Sequence, residues 1–197
     1  MIVKISDIAD AQGGLVLSRK EEKAPVADTC HFKRLTLRAL DDNGFIRKEN
    51  LEDFYSKDSL SNALFTSLGD VVIRLFSPMC PAMVTEDDTG LLVPSQLAVL
   101  KIKKDGPIIA EYLRLCLAQR DIQERVLKIE SGTAQRTVKL GTIMELKISI
   151  PDLETQYKVV QIDNLSRERE RMYQELISQE RIFTERIIED IIGGSLR

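Results

Sequence analysis

The residues of this chain that can do chemistry are few, and their spacing matches no catalytic set. His31 is the one histidine. No nucleophile or acid stands beside it in the sequence, so it reads as a strand-edge residue rather than a general base. Asp41-Asp42 and Asp87-Asp88 are adjacent carboxylates. Such pairs can bind a cation, but aspartate is also an ordinary turn residue, and turn chemistry explains them without a metal. Cys30, Cys80 and Cys116 have no CxxC or Cys/His spacing, which argues against a zinc site and for reduced, mostly buried thiols. No P-loop, GxSxG or HExxH pattern occurs, and Gly13-Gly14 opens no dinucleotide fingerprint. What remains is a set of cationic and amide side chains: Arg34 and Arg38, two apart in each case from Thr36, and a polar loop from Ser131 to Thr137 with one Gln and one Arg. Arg34 and Arg38 read either as a solvated sheet face or as a phosphate-facing strand.

Those groups need a scaffold, and the chain is long enough to supply one. Its 197 residues can bury a sizeable core and carry an appendage. A hydrophobic content of 43% and a charged content of 30% are those of a soluble globular protein. No apolar run approaches the roughly 20 residues of a membrane span, and MIVKISDIADAQ lacks the apolar core of a signal peptide. The expected location is cytoplasmic. Net charge is −3, with 21 charges of each sign before Asp152 and 7 Lys/Arg against 10 Asp/Glu from there on. Nucleic-acid binding would therefore need a local basic face rather than a basic protein.

Periodicity places the elements. Phe32 to Leu40 alternates, with Leu35, Leu37 and Ala39 on one face and Arg34, Thr36 and Arg38 on the other, and predicts a strand. Asp41-Asp42-Asn43-Gly44 follows as a hairpin turn. Asn50 to Ala63 is polar and weakly helical. Gly69 to Leu75 predicts a short buried strand, and Gln96 to Lys103 an alternating one. Pro107 suits the first turn of an amphipathic helix that runs to Ile129, with Ile109, Leu113, Cys116, Leu117, Val126 and Ile129 as its stripe. Thr142 to Ile150 alternates as a strand, and Pro151-Asp152 breaks it. From about Leu153 to Ile192 a charged helical pattern carries a rough heptad, in which Ile162, Leu165, Met172, Leu176, Phe183 and Ile187 make an apolar stripe with Arg169 and Gln179 interrupting it. The fold class predicted is α+β: a head of short strands and helices over 1–151, followed by a long coiled-coil-like helix over 152–197.

Three stretches carry a family resemblance. VKISDIADAQGG and SLGDVVIRL are similar to the opening and a strand of the target-recognition domain of type I restriction-modification specificity (S) subunits. The run from Ala110 to Leu165 resembles that family's helix, polar loop, strand, proline and helix opening, here with Glu154-Thr155-Gln156, Val159-Val160 and Ile162. The family's subunits have two recognition domains and two long helices; this chain has one of each. Its polar loop reads Ser131-Gly132-Thr133-Ala134-Gln135.

The resemblance implies a non-catalytic reader of double-stranded DNA. It would need no cofactor of its own. The helix would space the heads and dock a methyltransferase (M) subunit that supplies the S-adenosylmethionine chemistry, with a restriction (R) subunit joining through the complex. Arg and Gln pair bidentately with guanine and adenine edges, while Lys, Ser and Thr mostly grip phosphate. The candidates on that reading are Arg34, Arg38, Arg74, Gln96, Lys101, Lys103, Gln135, Arg136 and Lys139. A single head reads few base pairs, so the expected assembly is a homodimer through Ile162, Leu165, Met172, Leu176, Phe183 and Ile187. A coiled-coil adaptor without a DNA role, or a small hydrolase, are the other classes the sequence leaves open.

Overall fold

In the computed structural model the chain is described over residues 1–22, 29–57, 59–104, 106–129 and 137–194. It forms two compact units, Met1–Tyr157 and Lys158–Arg197.

The first unit begins β1 (Ile2–Lys4), α1 (Ile5–Ile8), β2 (Ala9–Gly13). Next come β3 (Cys30–Arg34), β4 (Glu52–Ser56), β5 (Val71–Arg74), β6 (Ala82–Met83) and β7 (Leu97–Ile102). It continues through α2 (Ala110–Ala118), α3 (Arg120–Ile129), α4 (Leu140–Met144), β8 (Lys147–Ser149) and the start of α5 (Leu153–Gly194). The main sheet is antiparallel, in the order β2-β7-β5-β6; β1 pairs with β8, and β3 with β4. This is the α+β mixture that the alternating runs predict.

The main sheet is buried on both faces. Val71, Ile73, Ala98 and Leu100 face a core made with Ile5, Ile8, Leu113, Leu117, Ile122, Val126 and Ile143. Val72, Leu97 and Val99 face a second core with Leu35, Ala39, Leu40, Ile46 and Val84. Burial on two sides explains why GDVVIRL is a continuous apolar run rather than an alternating one. Leu17, Phe54 and Leu92 form a third, smaller cluster with Phe32 and Phe65 against it.

Four sequence expectations fail locally, each for a physical reason. The strand begun at Phe32 ends at Arg34, and Leu37–Ala39 is a single 3-10 turn. Thr36 makes that turn: its Oγ1 accepts the Ala39 N–H at 3.2 Å and donates to the Asn50 carbonyl at 2.8 Å. Leu35 and Ala39 stay buried all the same, so the alternation marked burial and not backbone. The polar segment after Asn50 is not helical but forms β4, because Glu52 and Asp53 find Arg34 and Lys33 directly across the ladder. The helix expected from Pro107 to Ile129 begins at Ala110 and is cut in two at Gln119, whose φ and ψ are −60° and 136°. The strand expected over Thr142 to Ile150 keeps only Lys147–Ser149; Leu140–Met144 is a short helix.

Gly14 sets the wall of the site described below. A Cβ there would stand 2.1 Å from the Pro94 carbonyl oxygen, so only glycine allows this approach. Gly14 N–H bonds the Leu97 carbonyl at 3.0 Å and Leu15 N–H the Val93 carbonyl at 2.9 Å, which pins Val16–Ser18 beside Pro94–Gln96.

In the second unit, α5 carries Ile162, Leu165, Met172, Leu176, Phe183 and Ile187 at 42–68% exposure. Tyr173, Ile177 and Ile188 are exposed as well. No helix among the described residues is long and apolar enough to cross a membrane.

Candidate functional site

A groove of about 580 Å³ opens where the turn at Leu17, the end of β3 and the approach to β7 meet. Its walls include Ser18, Glu21, Arg34, Thr36, Arg38, Glu52, Ser95 and Gln96. Three of the residues predicted to contact DNA thus come together, Arg34 and Arg38 from the end of β3 and the turn after it, and Gln96 from the approach to β7.

They differ in what they are free to do. Arg34 is held between two carboxylates: Nε and Nη2 donate to Glu52 Oε2 at 3.0 and 2.6 Å, and Nη1 stands 3.1 Å from Glu21 Oε1. Its charge is balanced in place. The Arg38 guanidinium and the Gln96 amide are exposed and have no partner among the described residues. Their backbones are fixed. Asn50 Nδ2 donates to the Arg38 carbonyl at 3.1 Å, and the Gln96 carbonyl accepts the Leu75 N–H at 2.9 Å. Free head groups on pinned backbones are what recognition of a ligand edge requires.

The other predicted residues are committed elsewhere or face other ground. Arg74 donates to the Leu40 carbonyl and lies 6.0 Å over the Phe76 ring, a structural post beneath the Asp41–Gly44 turn. Lys101 reaches the buried Asp70 at 3.4 Å. Lys103 donates to the Ser6 carbonyl at 2.7 Å, with Asp10 at 3.9 Å. Lys139 is exposed at the start of α4 and also has a partner. Gln135 and Arg136 lie outside the described residues.

His31 has the acid neighbour that its sequence surroundings do not reveal. Its Nε2 is 2.5 Å from Asp53 Oδ1, Lys33 reaches the same carboxylate at 2.8 Å, and Tyr55 stacks on the imidazole at 4.9 Å. Hydrogen bonds from Lys33 and then from His31 hold the Asp53 carboxyl below its ordinary range. The cluster lies on the outer face of β3 and β4, and among the described residues no nucleophilic hydroxyl or thiol is paired with the imidazole.

No family model matches the chain, and no curated protein matches it. Solved structures do. A chain from work on complex assembly and conformational transition of the type I R-M system matches with a TM-score of 0.68 at 12% identity, over 100% of this chain and 45% of that one. The HsdS subunit from Thermoanaerobacter tengcongensis matches at 0.68 and 17% identity, over 96% of this chain and 47% of that one. The type I restriction-modification S subunit from M. genitalium matches at 0.55 and 14%, over 93% and 43%. The fold is that of a type I restriction-modification specificity subunit. This chain spans less than half the length of the solved chains it matches, so a specificity-subunit fold is present with one head and one long helix.

Within that specificity-subunit fold, reading residues singly misses the two carboxylates that hold Arg34. Glu52 stands directly across the ladder from Arg34. Only the cross-strand register, which depends on recognising β4 as a strand, brings that pair together.

Proposed function

We propose that this chain is a half-length, non-catalytic DNA sequence-specificity subunit. Its first unit reads one half of a duplex target and its long helix docks a methyltransferase subunit, which supplies the S-adenosylmethionine chemistry; a restriction subunit joins through that complex. The observation that carries the reading is the groove: on a specificity-subunit fold, the two predicted base-reading side chains that stay uncommitted among the described residues, Arg38 and Gln96, line one cleft. Bidentate groups of these two types suit purine edges in the major groove, the guanidinium as a double donor to guanine and the amide as donor and acceptor to adenine.

The long helix completes the reading. Its apolar stripe is exposed, and a second copy laid antiparallel would cover it through a two-fold, isologous contact. Two heads would then read a split palindrome, which supplies the selectivity that one head lacks. The same stripe also suits an adaptor with no DNA role. The deciding experiment is DNA binding by the full chain co-expressed with a methyltransferase subunit. Enrichment of a defined, two-part motif from a random duplex library supports the specificity reading; a stable protein complex that enriches no motif sinks it and favours the adaptor.

A further inference from the structure

We propose that the groove accepts the edge of a base and not a phosphate, and that Arg38 and Gln96 set which base it accepts. This rests on the DNA-reading proposal above and adds the chemical group that the groove takes.

Charge decides first. Among the described residues, the groove side chains hold two guanidiniums, Arg34 and Arg38, and two carboxylates, Glu21 and Glu52, and these four carry no net charge. Both carboxylates already hold Arg34. A phosphate arriving at Arg38 would meet one uncommitted cation beside the Arg34–Glu21–Glu52 cluster, whose own net charge is negative, a poor exchange for an ion that gives up its hydration. A base edge is neutral and presents donors and acceptors side by side, so it can use both kinds of group. Both Arg34 bonds to Glu52 fall on Oε2, which leaves Glu52 Oε1 as an acceptor for an exocyclic amine.

Positioning decides second. The 3-10 turn that carries Arg38 is capped by Thr36 and tied to Asn50, and Gln96 enters β7 directly. Thr36 and Asn50 are positioning residues here; they act on the groove through Arg38. Grip on phosphate needs only a charge near the backbone, whereas a bidentate pair needs a donor fork held at a fixed place.

The experiment uses the full chain assembled with a methyltransferase subunit, a random duplex DNA library and a salt titration on the duplex that wild type enriches. Arg38→Ala and Gln96→Ala are each expected to make one motif position degenerate and to weaken the enriched duplex about 5- to 150-fold. The slope of log K against log salt should not change. Arg38→Lys keeps the charge but loses the fork, and should resemble Arg38→Ala. If Arg38→Ala keeps the motif and lowers the salt slope by about 0.9, and Arg38→Lys binds as wild type does, Arg38 grips phosphate and the inference is overturned. Unchanged motif and affinity for both alanine variants overturn it too. A wild-type complex that enriches no motif removes the DNA-reading proposal itself, an outcome distinct from either of these.

Discussion

Gln156 is fully buried in the first turns of α5 and makes three side-chain hydrogen bonds. Its Oε1 accepts the Ile109 N–H at 3.1 Å, and its Nε2 donates to the carbonyls of Pro107 at 2.7 Å and Pro151 at 3.0 Å. One amide thus ties the entry to α2 and the end of β8 to the base of α5. Gln156→Met keeps the volume and removes every bond. The stranded Ile109 N–H costs about 1–3 kcal/mol, and each carbonyl, partly reached by water, roughly 0.5 kcal/mol more. The expected loss is about 3 kcal/mol, or roughly 6–12 °C in melting temperature for a chain of this size. Gln156→Glu separates bond loss from charge. The introduced carboxylate can still accept from Ile109 but faces two carbonyl oxygens. Its pKa is therefore raised in the folded state, which makes the variant relatively more stable as pH falls and the acid can donate again. Urea and thermal melts of both variants at neutral and acid pH make the test. If both lose less than about 0.5 kcal/mol, the tie is not what anchors the helix base.

Burial raises the Cys80 thiol from 9.0 to about 12, with the hydrogen bond to Asp42 adding to it, and burial raises Cys116 to about 11; Cys30 is exposed. A thiol reagent at pH 8 should label one cysteine quickly in the native chain and all three after denaturation; fast native labelling of Cys80 or Cys116 would contradict the packing. The same shifts fix an alkaline limit. Burial also raises Tyr112 from 10.0 to about 12. These three groups hold their protons more tightly folded than unfolded, so their contribution is complete below pH 9 and is lost as pH rises through about 11 to 12. Urea midpoints flat across that range would refute it. For assembly, light scattering at tens of micromolar should give a dimer for wild type and a folded monomer for the doubly substituted Leu176→Asp, Phe183→Asp; a monomeric wild type would end the homodimer proposal.

Elements with strong apolar periodicity are legible in this sequence, and those set by long-range partners are not. β5 and β7 are read correctly because their burial on two faces writes itself into VVI and LAVL. α5 is read correctly because one stripe repeats through most of its 42 residues. β4 is missed because it opens on Glu52 and Asp53, poor strand formers whose placement depends on Arg34, Lys33 and His31 across the ladder. The break at Gln119 carries neither Pro nor Gly, so no local signal marks it. The break at Pro151-Asp152 is legible, and the fold adds its physical basis: Asp152 Oδ1 accepts the Thr155 N–H at 2.8 Å and caps α5.

The candidate site divides along the same line. Residue type alone marks Arg34, Arg38, Arg74, Lys101 and Lys103 as equivalent donors. What separates them is where a carboxylate or carbonyl happens to stand in the folded chain, and that is decided by contacts across 18 positions for Arg34 and Glu52, and across 97 for Lys103 and Ser6. A cation with such a partner must lose it before it can bind DNA, so its apparent gain is reduced by that cost. Arg38 and Gln96 carry no such cost. The near-zero charge of the head is therefore compatible with a reader of base edges: most of its described cations have a partner within the fold, and Arg38, one of those without a partner, lines a groove with Gln96 where geometry, rather than field, selects the partner.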